Sequence, residues 1–361
     1  MFLPSIAWIP FLAAQAPQEV YAPRADLEAG RYLAALRKAE QRLALAPADP
    51  LALAAKSEAL SSLMRFPEAS ALAQRALELD PGLAEAYLAR GLARAGSAVQ
   101  QRNFGSLRSI SGAMDDLRTA TERNPLLQTA WLTLGVAYQQ LPGLLGGSTR
   151  RALACAEALA RLHPARGAAL RGTILALDGR WKEADAAFQE ALSLKPDDAQ
   201  VVAAYLEALA DRGARRALGE ALQKERLAAG ARRLLPKVQG SGRGLEAVCG
   251  ALLEAGQPGE AWTCAEGALK SADAPSLLRL FLGKLAARSG LRRPEGLAYL
   301  DQVLKEPLEG GSGGYPAAHW RRGQILRDLG RPAEARLAAQ AALALDAKHP
   351  GARRLLEELD R

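Results

Sequence analysis

The sequence predicts an all-α fold, a solenoid of stacked helix pairs. Three observations point there. Alanine, leucine and arginine, all strong helix formers, dominate the 361 residues. Long alternating runs of Val, Ile and Thr, the mark of a half-buried strand, are missing. Similar endings also return at nearly even spacing: LALAP at 43–47, ALELDP at 76–81, ATERNP at 120–125, ALARLHP at 158–164, ALSLKP at 191–196 and ALALDA at 342–347. Pro47 to Pro81 is 34 residues and Pro164 to Pro196 is 32, a period that belongs to helical repeats.

The chain opens on MFLPSIAWIPFLAAQAPQEV. Phe2 to Ala14 is apolar but too short to span a bilayer. Ala14-Gln15-Ala16 fits a small-x-small cleavage site, so residues 1–16 are expected to be a signal peptide and the protein periplasmic or secreted. No Lys or Arg precedes the run, and Pro4 and Pro10 interrupt it. The alternative is an apolar arm packed on a cytoplasmic protein. No later stretch reads as a transmembrane helix.

Two copies of the repeat carry most of the pattern. Trp131-Leu-Thr-Leu-Gly135-Val-Ala-Tyr138 has the large residue, glycine and tyrosine of a first helix. Gly179-Arg-Trp-Lys-Glu-Ala184-Asp-Ala-Ala-Phe188, followed by Ala191 and Pro196, has the small residues and terminal proline of a second. The sequence resembles the tetratricopeptide-repeat family on these residues. Drifted copies run through Tyr87 and Gly91, Gly172 and Gly179, Leu206 to Gly213, Gly256 to Ala268, Gly283 and Gly290, and Trp320 to Ala342. The resemblance covers most of residues 20–350 and implies a right-handed superhelix of eight or nine helix pairs. Stretches 214–241 and 291–316 depart from the pattern.

Two spacings are too long. Pro81 to Pro125 is 44 residues and Pro125 to Pro164 is 39. Enlarged turns are therefore expected near 96–112, with NFGSLRSISG as the turn, and near 141–149. The second holds GLLGGST, which superficially suggests a phosphate loop. No strand precedes it and no Lys follows, so it is read as a turn, with Ser148 or Thr149 capping the next helix. The Gly-Ser run at 239–244 divides the reading into 17–238, an N-terminal superhelix, and 239–361, C-terminal repeats, and the run at 309–314 lengthens a connection between repeats.

The formal charge of +8 raises the question of nucleic acid. The densest basic run, 212–237, mixes in acids and alanines and has no aromatic, which argues against base stacking. Three cysteines, Cys155, Cys249 and Cys264, make no disulfide framework; Cys249 and Cys264 could pair in an exported protein, and the plainer reading is small buried thiols. His163, His319 and His349 fall in separate copies, and no catalytic or metal-ligand spacing occurs. Neither an enzyme nor a cofactor is expected.

What remains is the inner face that the resemblance implies, built by first helices. Register places Glu58, Leu88, Leu92, Leu132, Val136, Gln139, Thr173 and Glu207 on it. The set lacks the Lys and Asn with which chaperone-binding relatives hold a C-terminal carboxylate. Its small, apolar and acidic character suits an extended or helical apolar segment. The expected function is a non-catalytic protein-binding scaffold of the bacterial envelope. The alternative is a periplasmic solute-transport component that binds a small molecule.

Overall fold

Prolines and glycines cut the chain into helices at the spacing a repeat needs. The computed structural model describes residues 22–28, 30–101, 105–239, 241–270, 276–308 and 314–360. The segment read as a signal peptide lies outside them. Helix α1 (Ala22–Glu28) pairs with α2 (Tyr32–Leu45), α3 (Pro50–Ser62) with α4 (Phe66–Leu79), and α5 (Ala84–Gln101) with α6 (Gly105–Arg123). Next come α7 (Gln128–Gln140) with α8 (Thr149–Leu162), and α9 (Pro164–Leu177) with α10 (Trp181–Leu194). Helix α11 (Ala199–Ala210) has a split partner, α12 (Arg212–Leu218) and α13 (Glu220–Leu234). Then α14 (Gly242–Glu254) pairs with α15 (Pro258–Ala268), α16 (Ser276–Ser289) with α17 (Arg293–Val303), and α18 (Gly314–Asp328) with α19 (Pro332–Leu345). Helix α20 (Pro350–Leu359) packs on α18 and α19 and ends the stack. Among the described residues there are nine pairs and no strand, so the fold is an all-α solenoid.

Local chemistry sets the helix ends. Asp49 and Asp198 cap α3 and α11, each accepting two backbone N–H bonds. Turns inside several pairs need a left-handed residue, and Gly179, Gly256 and Gly330 supply it at φ +80°, +79° and +73°. Met64 adopts φ +62° in the α3–α4 turn, so the turn geometry persists without glycine.

Glycine also lets paired helices approach. A Cβ at Gly135 would lie 3.2 Å from Cys155 Cβ and 3.1 Å from Leu170 Cδ2. One at Gly172 would lie 2.9 Å from the Phe188 ring. The core therefore passes from pair to pair. One cluster runs from Ala165 to Ala338 and crosses residue 239, where the Gly-Ser run suggested a division. The N-terminal pairs have three smaller clusters, rich in alanine.

The first insertion differs from its expected form. Residues 105–112 are helix and not turn, because the extra length goes into α5 and α6. Asp116 on α6 ties the long pair together, accepting from Arg90 and Arg94, each at 2.7 Å. The second insertion is a turn containing a 3-10 segment, Gly143–Leu145. Ser148 caps α8 by accepting from the Arg151 N–H at 3.3 Å. Asp178 accepts from the Thr149 hydroxyl at 3.3 Å, placing a carboxylate where an anion would have to sit. The two stretches that departed from the repeat pattern still form helices, α12 with α13, and α17.

Candidate partner-binding cavity

The first helices of the pairs face inward. Together they line a cavity of about 2400 Å³. Its wall includes Glu58 from α3, Leu92 from α5, Leu132 and Val136 from α7, Thr173 from α9 and Glu207 from α11. The N-terminal pair contributes residues from Leu27 to Arg37, and the chain near Pro307 and Tyr315 contributes on the other side.

Six of the eight residues assigned to the inner face by register line this cavity. Two do not. Leu88 is fully buried in the core that α5 and α6 share with α7. The longer helices around it convert an inner-face position into a packing position. Gln139 points off the wall, with a buried Oε1 that lacks a protein partner, and Gln140 lines the cavity instead. One residue turns a helical side chain by about 100°, so a single step of register moves it off the face.

The lining residues differ in what they have free. Leu132 is half exposed, and with Leu92 and Val136 it gives an apolar patch. Thr173 donates its hydroxyl to the Ala169 carbonyl at 3.1 Å. Glu207 pairs with Arg243 of α14 at 2.8 Å. Arg166 of α9 donates to Asp198 and to Gln128, both at 2.9 Å, binding three pairs together at the wall.

Glu58 is already engaged. Arg24 of α1 reaches it at 2.7 Å and also lies 3.5 Å from Glu28. Burial pushes the Glu58 carboxyl above the ordinary carboxylate value, outweighing Arg24, and the like charges of Glu28 and Glu85 push the same way. Burial works against the charge of Arg24, but Glu58, Glu28 and Glu85 together hold it more firmly protonated than usual. Helix α1 thus contributes to the cavity wall through Leu27 and Glu28. Gln200 Nε2 of α11 donates to the Glu28 carbonyl at 2.7 Å, 172 residues away in sequence. Sequence register could not show this, because α1 is too short to display a repeat of its own.

Among the described residues no group of His, Cys, Asp and Glu is arranged to hold a metal. His349 caps α20, its Nδ1 accepting from the Ala352 N–H at 3.1 Å, and its ring packs tilted against Trp320. Among the same residues no helix is long and apolar enough to cross a membrane.

The tetratricopeptide repeat family model matches residues 316–349, which is the α18–α19 pair together with the turn that leads into α20. That pair of the solenoid therefore matches a tetratricopeptide repeat (TPR). The match falls on the copy marked by Trp320, Gly323, Gly330, Ala335 and Ala342; the other helix pairs carry the pattern with more drift. No curated protein sequence matches the chain. Similar solved structures include a thermophilic TPR protein of Thermus thermophilus, 26% identical, covering 50% of this chain and 91% of that one, with a TM-score of 0.42. PilF of Pseudomonas aeruginosa is 17% identical, covers 64% and 97%, and has a TM-score of 0.41. The APC/C hetero-tetramer Cut9–Hcn1 gives 18% identity, 95% of this chain, 63% of that one and a TM-score of 0.43.

Proposed function

We propose that this TPR solenoid is a non-catalytic scaffold that takes an extended segment of another protein into its central cavity, in the envelope of a bacterium. Cavity size carries the reading. Small-molecule sites are about 300–1,000 Å³, whereas this cavity is about 2400 Å³. A polypeptide segment matches that volume. Leu92, Leu132 and Val136 would receive its apolar side chains. The charged residues around them would meet its backbone and polar groups.

The envelope location rests on the apolar N-terminal stretch and Ala14-Gln15-Ala16, and the mass of the mature N-terminus tests it. The function is tested by pull-down from envelope extract with the native protein and a Leu132→Arg, Val136→Arg variant. A partner held by the first and lost by the second is expected. Absence of any specific partner, together with turnover of a small substrate, would overturn the scaffold reading.

The second reading is a periplasmic solute-transport component that binds a small organic acid. The presence of Leu132, Val136 and Thr173 on one cavity wall favours it, since that is where such a ligand would sit. Stabilisation by organic acids in a thermal-shift screen, abolished by Val136→Arg, would move the conclusion to it.

A further inference from the structure

Cys249 lies on α14 and Cys264 on α15, the two helices of one TPR pair. Both are free thiols, and their Sγ atoms stand 2.7 Å apart. Closing to the about 2.05 Å of an S–S bond requires a movement of under about 1 Å. The two positions differ in access: Cys249 is buried and Cys264 is half-buried. We propose that Cys249 and Cys264 are a dithiol–disulfide pair, and that oxidation closes a bond stapling α14 to α15.

The hydrogen bond between the sulfurs orders their chemistry. The contact with Cys264, aided by burial, raises the Cys249 thiol far above its ordinary value. The same contact lowers Cys264. Cys264 is half-buried while Cys249 is buried, so Cys264 is the thiol a reagent reaches and the one that attacks first. Its thiolate attacks one sulfur of a small disulfide such as glutathione disulfide. A Cys264–glutathione mixed disulfide forms and one glutathione thiolate leaves. Cys249 then gives up its proton and attacks the Cys264 sulfur. The Cys249–Cys264 bond forms and the second glutathione leaves as a thiolate. Two protein thiols are oxidised, one glutathione disulfide is reduced, and two protons accompany the released thiolates. The third thiol, Cys155, is buried and pushed up to about 12 by desolvation, so it stays out of the exchange.

The staple bears on the cavity wall. Arg243, Leu245 and Glu246 of α14 line the cavity, as does Ala268 at the end of α15. A bond between these helices limits the freedom of the intervening loop in the unfolded chain and holds that wall in place.

The test uses the full-length protein, reduced and then treated with glutathione disulfide. It is quenched in acid, unfolded and labelled with N-ethylmaleimide. The expected product carries one label, on Cys155, has lost the mass of two hydrogens, and yields a linked Cys249–Cys264 peptide. Its Tm is higher than that of the reduced protein. In Cys249→Ala the reaction should stop at a glutathione adduct on Cys264. Three labels after oxidation would overturn the proposal. So would a lasting glutathione adduct on native Cys264, or a dimer joined through Cys264. If the alanine variant fails to fold, labelling of the native protein still decides.

Discussion

At the scale of single residues, the most consequential contact is Arg24 with Glu58. The two charges are not symmetric. Arg24 has Glu28 nearby as well as Glu58, whereas Glu58 has one cation and two like charges around it. Removing the arginine therefore leaves a buried carboxylate unpaired. Arg24→Ala should weaken the docking of α1 by about 3 kcal/mol at neutral pH. Glu58→Gln keeps shape and leaves Arg24 its contact with Glu28, so it should cost about 1 kcal/mol or less. Hydrogen exchange of the α1 amides reads both changes. The pH dependence has a definite sign. The folded value of Glu58 is raised, so the stability linked to it is fully present below the unfolded carboxylate value. It is lost as pH rises through the folded value. The penalty of Arg24→Ala should accordingly shrink on acidification towards the ordinary carboxylate range. A penalty that is constant from neutral to that range would remove Glu58 from the account.

At the scale of elements, the helix pair was the most legible feature of the sequence. Trp131 to Tyr138 and Trp181 to Pro196 repeat a packing rule, and a packing rule leaves residues at fixed spacing. The turns were less legible. Stretch 105–112 contains glycine and serine and reads as a turn, yet it is helix. The Arg90, Arg94 and Asp116 cluster ties this helix to α5, and Arg94 also donates to the Gly112 carbonyl, contacts that local propensity does not register. Contacts of this kind also rank the glycines. Gly135→Val would drive a branched side chain against Cys155 and Leu170 and should cost on the order of 1–3 kcal/mol by overpacking. Gly146 has open space around it but φ of +90°, so Gly146→Ala should cost about 1 kcal/mol through backbone strain alone. At Gly147 a Cβ would fall 1.7 Å from the Leu141 carbonyl oxygen, so Gly147→Ala must move backbone. Urea unfolding should rank Gly147→Ala and Gly135→Val well above Gly146→Ala. The reverse order would mean that the register of α7 on α8 is wrong.

At the scale of the whole molecule, each repeat touches mainly its neighbours, and sequence pattern carries information mainly about those contacts. This explains why the cavity wall was readable at Leu132, Val136 and Thr173 while its closure was not. Closure depends on contacts between distant repeats. Gln200 Nε2 meets the Glu28 carbonyl, and a side chain at Gly314 would begin 3.8 Å from Met64 Sδ. Such contacts have no period, so no repeat search finds them. They also act where the core is weakest, since the N-terminal pairs hold only small alanine-rich clusters. Helix α1 should therefore open more readily than the repeats behind it. Gln200→Ala removes one closing hydrogen bond, worth roughly 1 kcal/mol, and should speed exchange in α1 about 5-fold. Exchange in α9 and α14 should stay unchanged, because their contacts lie within the continuous core. If the cavity receives a polypeptide, the same variant should also bind that partner faster, since the Gln200–Glu28 contact joins α1 to α11 across the cavity wall. Unchanged exchange in α1 would show that the contact with Glu28 does not hold the ring closed. Faster exchange throughout would show that α1 is not a separate unit but part of one cooperative fold.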